Sequence, residues 1–296
     1  TFAVEDPGYV RLTRIYQACG QRVLHVPLDE QGVCVDALGD ADVLHLMPSH
    51  QFPTGRVTSI SRRYELLGWA AARSGRWLVE DDYDCEFRLA GRPVPALLSI
   101  DAAGRVIYTN TFSKSLGSAL RLAYMVLPEE LMDRYSRELG FYSTTVSSVQ
   151  QVTLARILED GSYERHVARV RKRCRDVRDA LVAAVRSRGG TMRVEEPDSG
   201  LHAVVAVYGD AAAVAKRALA AGIPQAAFVP MDRYAWDGAN ASDDDWTRFV
   251  VPYDALDAET AAHFADLASI SLEEIVAHLS REIGFSRPSL TSRTNS

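Results

Sequence analysis

The chain has 296 residues, 47% of them hydrophobic and 24% charged, with a formal net charge of -6. That length suits a large core, and two domains more readily than one. The acidic balance is a poor bulk match for nucleic acid, no stretch of about 18 apolar residues would span a membrane, and no basic segment followed by an apolar one opens the chain as a secretory signal.

The first residues, Thr1-Phe2-Ala3-Val4, read as the interior of a strand, so an N-terminal part outside this sequence is expected. Val23-Leu24-His25-Val26, Val43-Leu44-His45-Leu46, Trp77-Leu78-Val79, Val106-Ile107-Tyr108 and Leu122 to Val126 are further strand candidates. Between them, Ser61 to Ala72 carries helical spacing through Tyr64, Leu67 and Ala71. This alternation predicts an α/β fold with a mostly parallel sheet and helices on both faces. In such sheets ligands sit beyond the carboxyl ends of the strands.

A long helix is predicted from about Tyr163 to Arg186, because Val167, Val170, Cys174, Val177, Leu181 and Val185 make one apolar stripe. Arginines crowd its other faces, but Glu164, Asp176 and Asp179 interrupt them, which favours a solvated linking helix over a DNA-binding one. Beyond Gly189-Gly190, the segments Met192 to Val194, His202 to Val207 and Phe249 to Val251 predict strands of a smaller α+β domain. Ala258 to Ile275 reads as a closing helix or two. The expected division is a large domain over 1–150, a small one over 151–275, and a flexible Ser/Thr/Arg-rich tail over 276–296. The four cysteines form no CxxC pair and no Cys/His cluster, so free thiols in a reducing cytoplasm are expected, with no metal site.

Three segments that follow predicted strands carry chemistry. The last is Thr111-Phe112-Ser113-Lys114-Ser115-Leu116, continuing to Leu120-Arg121-Leu122. A lysine among hydroxyls after a strand can form an imine with an aldehyde cofactor, while Thr111, Ser113 and Arg121 can bind a phosphate. The middle one is Glu80 to Arg88. A carboxylate such as Asp81 can pair with a protonated pyridine nitrogen and so keep the ring an electron sink, and Tyr83 lies within reach of a phenolic oxygen. Asp82, Asp84 and Glu86 read partly as a solvated acidic loop. The first is Pro48 to Gly55, a turn in which Pro53 fixes φ and Gly55 permits unusual angles. His50 there reads as a structural hydrogen-bonding group rather than a proton carrier.

Together with Val4-Glu5-Asp6-Pro7-Gly8-Tyr9, these strings resemble, in order and spacing, the MocR/GabR family of bacterial transcription regulators over about residues 1–270. That family joins a winged-helix DNA-binding domain to a domain similar to a fold-type-I aminotransferase. The resemblance implies pyridoxal 5'-phosphate (PLP) as cofactor, an internal aldimine with Lys114, and an external aldimine with an amine or amino-acid effector. It implies Asp81 as partner of the ring nitrogen, Tyr83 of the cofactor hydroxyl, Tyr9 as a stacking ring, and Thr111, Ser113 and Arg121 at the phosphate. Arg11 matches an arginine that grips an effector carboxylate. A homodimer is implied, and DNA contact only through a domain outside this sequence.

Some positions depart from the pattern. Phe52 stands where aminotransferases commonly carry Asn, and Ser118 where a Pro is usual. Val250 occupies the place of the substrate-carboxylate arginine, for which Arg248 is a candidate substitute. The Gly-rich phosphate turn would lie before Thr1. A free-standing aminotransferase acting on an amino acid, with Lys114 as general base, and a dimerisation module without cofactor are the competing readings.

Overall fold

The computed structural model describes residues 1–89, 94–187, 191–195, 200–209, 211–220, 228–236 and 246–261. Two sheets organise them. The first is built from β1 (Phe2–Asp6), β2 (Val23–Asp29), β3 (Gly32–Val33), β4 (Val43–Leu46), β5 (Trp77–Asp81), β6 (Val106–Thr111) and β7 (Ala123–Val126). Their order is β3-β2-β1-β4-β5-β6-β7. The five inner strands run parallel, in register Phe2 with Val23 and Val43, Val43 with Trp77, and Leu78 with Val106. The edge strands β3 and β7 are antiparallel to their neighbours. Chain order reverses at β1, which lies between β2 and β4, so a ligand crevice is expected beyond the ends of β1 and β4.

The inner strands are short apolar runs because both faces are covered. Ala3, Val26, Leu44, Leu46, Leu78 and Val106 are fully buried in one core with Leu38, Leu66, Ala70 and Leu97. Helix α1 (Val10–Ala18) follows β1, and α2 (Ile60–Ala71) precedes β5. The Ser59 hydroxyl caps α2 by accepting the Arg62 N–H at 3.2 Å. The buried face of α2 is not the one its apolar periodicity suggests. Tyr64 is 59% exposed, while Arg63, Leu66 and Ala70 face inward. An arginine holds the core position that the hydrophobic pattern could not register. After β5 come α3 (Leu97–Ile100), α4 (Glu129–Leu139) and α5 (Ser148–Glu159).

The 26-residue α6 (Ser162–Ser187) buries Val167, Cys174, Val177, Leu181 and Val185 against the second sheet. That sheet is wholly antiparallel, with order β10-β11-β9-β8, from β8 (Met192–Glu195), β9 (His202–Tyr208), β10 (Val229–Pro230) and β11 (Trp246–Pro252). Helix α7 (Ala211–Ala220) follows β9. The central strand β9 is buried from His202 to Val207, and Phe228 stacks on Phe249 at 3.7 Å. Burying each such side chain stabilises by about 1.5–3 kcal/mol. Phe87 and Leu89, from the acidic loop of the first sheet, join this second core. The helix expected over 258–275 is described only to Ala261, and the expected tail lies outside the described residues.

Candidate functional site

Four parallel strands deliver their carboxyl ends to one cavity of about 370 Å³. Tyr9 arrives from the loop after β1, and Met47 and Phe52 from the turn after β4. Asp81 and Tyr83 come from the end of β5, and Thr109 to Thr111 and Lys114 from β6 and its loop. Of the residues singled out by sequence, Tyr9, Asp81, Tyr83, Thr111 and Lys114 therefore share one space. The Lys114 ammonium is 5.8 Å from the Tyr83 ring centre.

The loop that carries Lys114 folds on its own hydroxyls. Thr111 Oγ1 donates to Ser113 Oγ at 3.0 Å and accepts the Ser113 N–H at 3.1 Å. Phe112 N–H donates to Leu122 O at 2.9 Å, which draws Arg121 beside this loop. Arg121 adopts a left-handed φ of 48°. Its guanidinium is exposed and has no partner among the described residues. Ser113 and Arg121 do not line the cavity themselves.

Behind Asp81 stand two side chains that the sequence did not reveal. His45 Nε2 lies 3.5 Å from its carboxylate, and His45 Nδ1 hydrogen-bonds Tyr16 Oη at 2.6 Å. The Tyr83 hydroxyl is shut off from solvent and has no hydrogen-bond partner among the described residues. Burial, with the charges of Asp84, Asp81, Glu5 and Asp82, pushes its pKa well above the usual phenol value, so it is a neutral O–H donor. Glu5 is also buried. Desolvation raises its carboxyl to about 8, although it accepts the Met47 N–H at 3.1 Å.

The acidic loop after β5 is not solvated. Asp82 accepts the Tyr108 O–H at 2.8 Å, and Asp84 pairs with His50 Nδ1 at 2.8 Å, both side chains 1% exposed. Burial raises the Asp84 carboxyl, and the hydrogen bond to His50 opposes that rise. Gly200 closes over this pair with φ +80°; a Cβ there would lie 2.3 Å from Asp84 Oδ2 and 2.8 Å from His50 Nδ1. His202 Nε2 bonds Pro53 O at 3.0 Å. The His50 turn thus docks the second sheet, in keeping with its structural reading.

Arg63 and Glu80 hold the floor. Arg63, with no side-chain exposure, donates to Pro48 O at 2.6 Å, Pro95 O and Thr58 O, and lies 3.7 Å from Glu80. Glu80 accepts the N–H groups of Leu97 and Leu98. Gln51 ties the turn together, donating to Pro7 O at 2.9 Å and accepting from Thr54 N and Oγ1. On the other side, α6 grips both loops. Tyr163 O–H donates to Glu86 at 2.8 Å, and His166 bonds Ser115 O at 2.7 Å. Arg171 donates to Glu86 O at 3.0 Å. The arginines of α6 are thus partly engaged in packing.

Two expected residues lie elsewhere. Arg11 is exposed on α1, 6.0 Å from the Tyr9 ring centre, and does not line the cavity. Arg248 lines a different cavity and pairs with Glu195 at 3.0 Å. Sequence reading also missed His45, Tyr16, Glu5, Arg63 and Glu80. The available signal was a charged or polar residue at an apolar strand or helix position. Among the described residues no group of His, Cys, Asp and Glu is arranged to hold a metal ion, and no helix is long and apolar enough to cross a membrane.

Comparison with known proteins places this geometry. The model of the family "Aminotransferase class I and II" matches residues 1–231. The HTH-type transcriptional regulator YdeL of Bacillus subtilis is 40% identical over 207 residues, 69% of this chain and 44% of that protein. The rhizopine catabolism regulatory protein MocR of Rhizobium meliloti is 31% identical over 68% of this chain and 41% of its own length. The pyridoxine biosynthesis regulator PdxR of Corynebacterium glutamicum is 34% identical, with 68% and 44% covered. This chain spans less than half the length of these relatives. Among solved structures, the α-aminoadipate aminotransferase LysN of Thermus thermophilus is similar with a TM-score of 0.74 and 28% identity, over 94% of this chain and 72% of that one. A multiple substrate aminotransferase of Thermococcus profundus matches in fold, with a TM-score of 0.75 at 22% identity, over 94% and 70%. The chain belongs to the aminotransferase class I and II family, and its curated relatives include HTH-type regulators of the MocR kind.

Proposed function

We propose that this chain is the PLP-binding, effector-sensing part of a MocR/GabR-type transcription regulator, with Lys114 as the residue that attaches the cofactor covalently. The observation that carries the proposal is the single cavity shared by Lys114, Asp81, Tyr83, Thr111 and Tyr9. The groups left without partners fit the cofactor. Among the described residues, the shielded Tyr83 O–H lacks an acceptor that a phenolate oxygen would supply, and the exposed Arg121 guanidinium has no anionic partner. A buried donor without an acceptor costs about 1–3 kcal/mol, a cost that a ligand acceptor at Tyr83 would remove.

Pyridoxal 5'-phosphate would supply an aldehyde for amines and a pyridinium ring that withdraws electrons from them. The chain's own part is to hold that group. Lys114 offers the amine nucleophile. Asp81 would keep a proton on the ring nitrogen, with His45 3.5 Å behind it and Tyr16 hydrogen-bonded to His45. Tyr83 would donate to the phenolic oxygen, and Tyr9 would wall one side. Thr111, Ser113 and Arg121 would take the phosphate with charge-assisted hydrogen bonds.

An amine effector would act only through different affinities for two conformations. The contacts of Tyr163 and His166 on α6 join the Lys114 loop to the second sheet and form a route for such a shift. A second copy of the chain is the expected partner. Tyr124, Met125 and Val126 on β7, with Tyr135 and Leu139 on α4, present apolar surface to solvent. DNA would be met by a domain outside this sequence.

The test is addition of pyridoxal phosphate to the full chain. The wild type should gain a visible absorbance band that borohydride abolishes, and Lys114→Ala should not. An equal band in the variant overturns the assignment. Sustained turnover of an amino acid with a 2-oxo acid would instead favour an aminotransferase.

A further inference from the structure

A second cavity, of about 540 Å³, lies between the two sheets. Pro7, Leu28, Thr54 and Arg56 of the first sheet's loops and strands line it, with Glu195, Val204, Met231 and Arg248 from the second-sheet side. The Pro7–Tyr9 and Phe52–Thr54 segments contribute to both cavities, so they form the boundary between them.

Among the described lining residues the charge does not balance. Glu195 is already satisfied, with one oxygen 3.0 Å from Arg193 Nε and the other 3.0 Å from Arg248 Nε. Arg56 spends one nitrogen on the backbone carbonyl of Asp29 at 2.9 Å and faces no carboxylate among the described residues. The Asp29 carboxylate is itself taken by Arg62 at 2.7 Å. Among the described residues, the two arginines that line the cavity therefore keep guanidinium N–H groups with no partner, and their two positive charges meet a single carboxylate that Arg193 also shares. A guanidinium fork matches a carboxylate with two parallel hydrogen bonds. Leu28, Val204, Met231 and Pro7 add aliphatic surface, and Thr54 a hydroxyl that already donates to Gln51.

We propose that this cavity is a binding site for an aliphatic carboxylate, gripped between Arg56 and Arg248 and independent of Lys114. Such an anion touches both sheets at once. Its binding would favour the arrangement in which Arg56 and Arg248 converge. An effector could thus act on the relation between the sheets without condensing with any amine-reactive group.

The test uses glutarate, a dicarboxylate with no amine, titrated calorimetrically into the full 296-residue chain. Saturable binding at one site per chain is expected, weakened about tenfold or more in Arg56→Gln and in Arg248→Gln, as loss of a charge-assisted contact implies. Lys114→Ala should bind glutarate like the wild type, which separates this site from the proposed cofactor attachment. Circular dichroism checks the fold of each variant. Should Arg56→Gln unfold, Arg56→Lys keeps the charge but loses the fork and should still weaken binding. Absence of glutarate binding to the wild type, or equal affinity in the folded arginine variants, overturns the proposal. Inorganic phosphate binding more tightly than glutarate would overturn the carboxylate assignment.

Discussion

Gly200→Ala tests how the second sheet is docked on the buried His50–Asp84 pair. The new Cβ would meet Asp84 Oδ2 at 2.3 Å and His50 Nδ1 at 2.8 Å, and neither side chain has solvent to move into. Two costs add. A left-handed backbone at an alanine costs about 1–2 kcal/mol, and overpacking a closed site costs about 1–3 kcal/mol more. The total is roughly 2–5 kcal/mol, a large share of the ~5–15 kcal/mol that holds a typical fold together. Gly20 provides the control. It has φ +74° but nothing within 4 Å of its would-be Cβ, so Gly20→Ala carries the backbone cost alone. Urea unfolding followed by circular dichroism should place Gly200→Ala below Gly20→Ala by about 1–3 kcal/mol. Equal destabilisation of the two variants would refute the close contact with the pair.

Tyr83→Phe removes a donor that has no acceptor in the cofactor-free chain, so that form should be unchanged or stabilised by up to about 2 kcal/mol. Its affinity for pyridoxal phosphate should nonetheless fall; a clear loss of stability without cofactor would mean that the hydroxyl has a partner. The pH dependence of stability carries two opposed signs. Glu5 titrates near 8 when folded against 4.5 unfolded, so the folded state holds the extra proton and stability falls as pH rises between those values. Burial lowers His202 to about 4 from 6.5, so the unfolded state holds the extra proton and stability rises with pH between 4 and 6.5. The two oppose one another from 4.5 to 6.5, and the Glu5 loss alone continues from 6.5 to 8. Glu5→Gln should therefore lose about 2 kcal/mol less than the wild type across that upper interval. Identical pH profiles for the two proteins would show that Glu5 is ionised in the fold.

Much of the architecture was legible because short apolar runs and a 3.6-residue stripe are direct signals of buried strands and helices. Val43–Leu46 was bounded correctly by its apolar run alone, and the α6 stripe named its buried residues. Other helices escaped. In α4 the apolar positions Leu131, Tyr135 and Leu139 do recur at helical spacing but were not picked up, and Tyr135 and Leu139 stay exposed, as do Ile15 of α1 and Val149 of α5. In α2 the periodicity chose the wrong face because Arg63 occupies the core and satisfies its charge with backbone carbonyls. At the site, Lys114, Asp81 and Tyr83 were singled out as residues at and after strand ends, and they line one cavity. Their neighbours were not, because Tyr16 of α1 and His45 of β4 meet only when the helix packs on the sheet. Arg248 was read from strand alternation as facing the same ligand, yet the turn of Phe52–Thr54 sets it in a separate cavity.

The most direct measurement is peptide mapping of the full chain after incubation with pyridoxal phosphate and borohydride reduction. The pyridoxyl mass is expected on the peptide that contains Thr111-Phe112-Ser113-Lys114, at the lysine, in stoichiometric amount. Label scattered over Lys172 and Lys216, or none at position 114, would contradict attachment at Lys114.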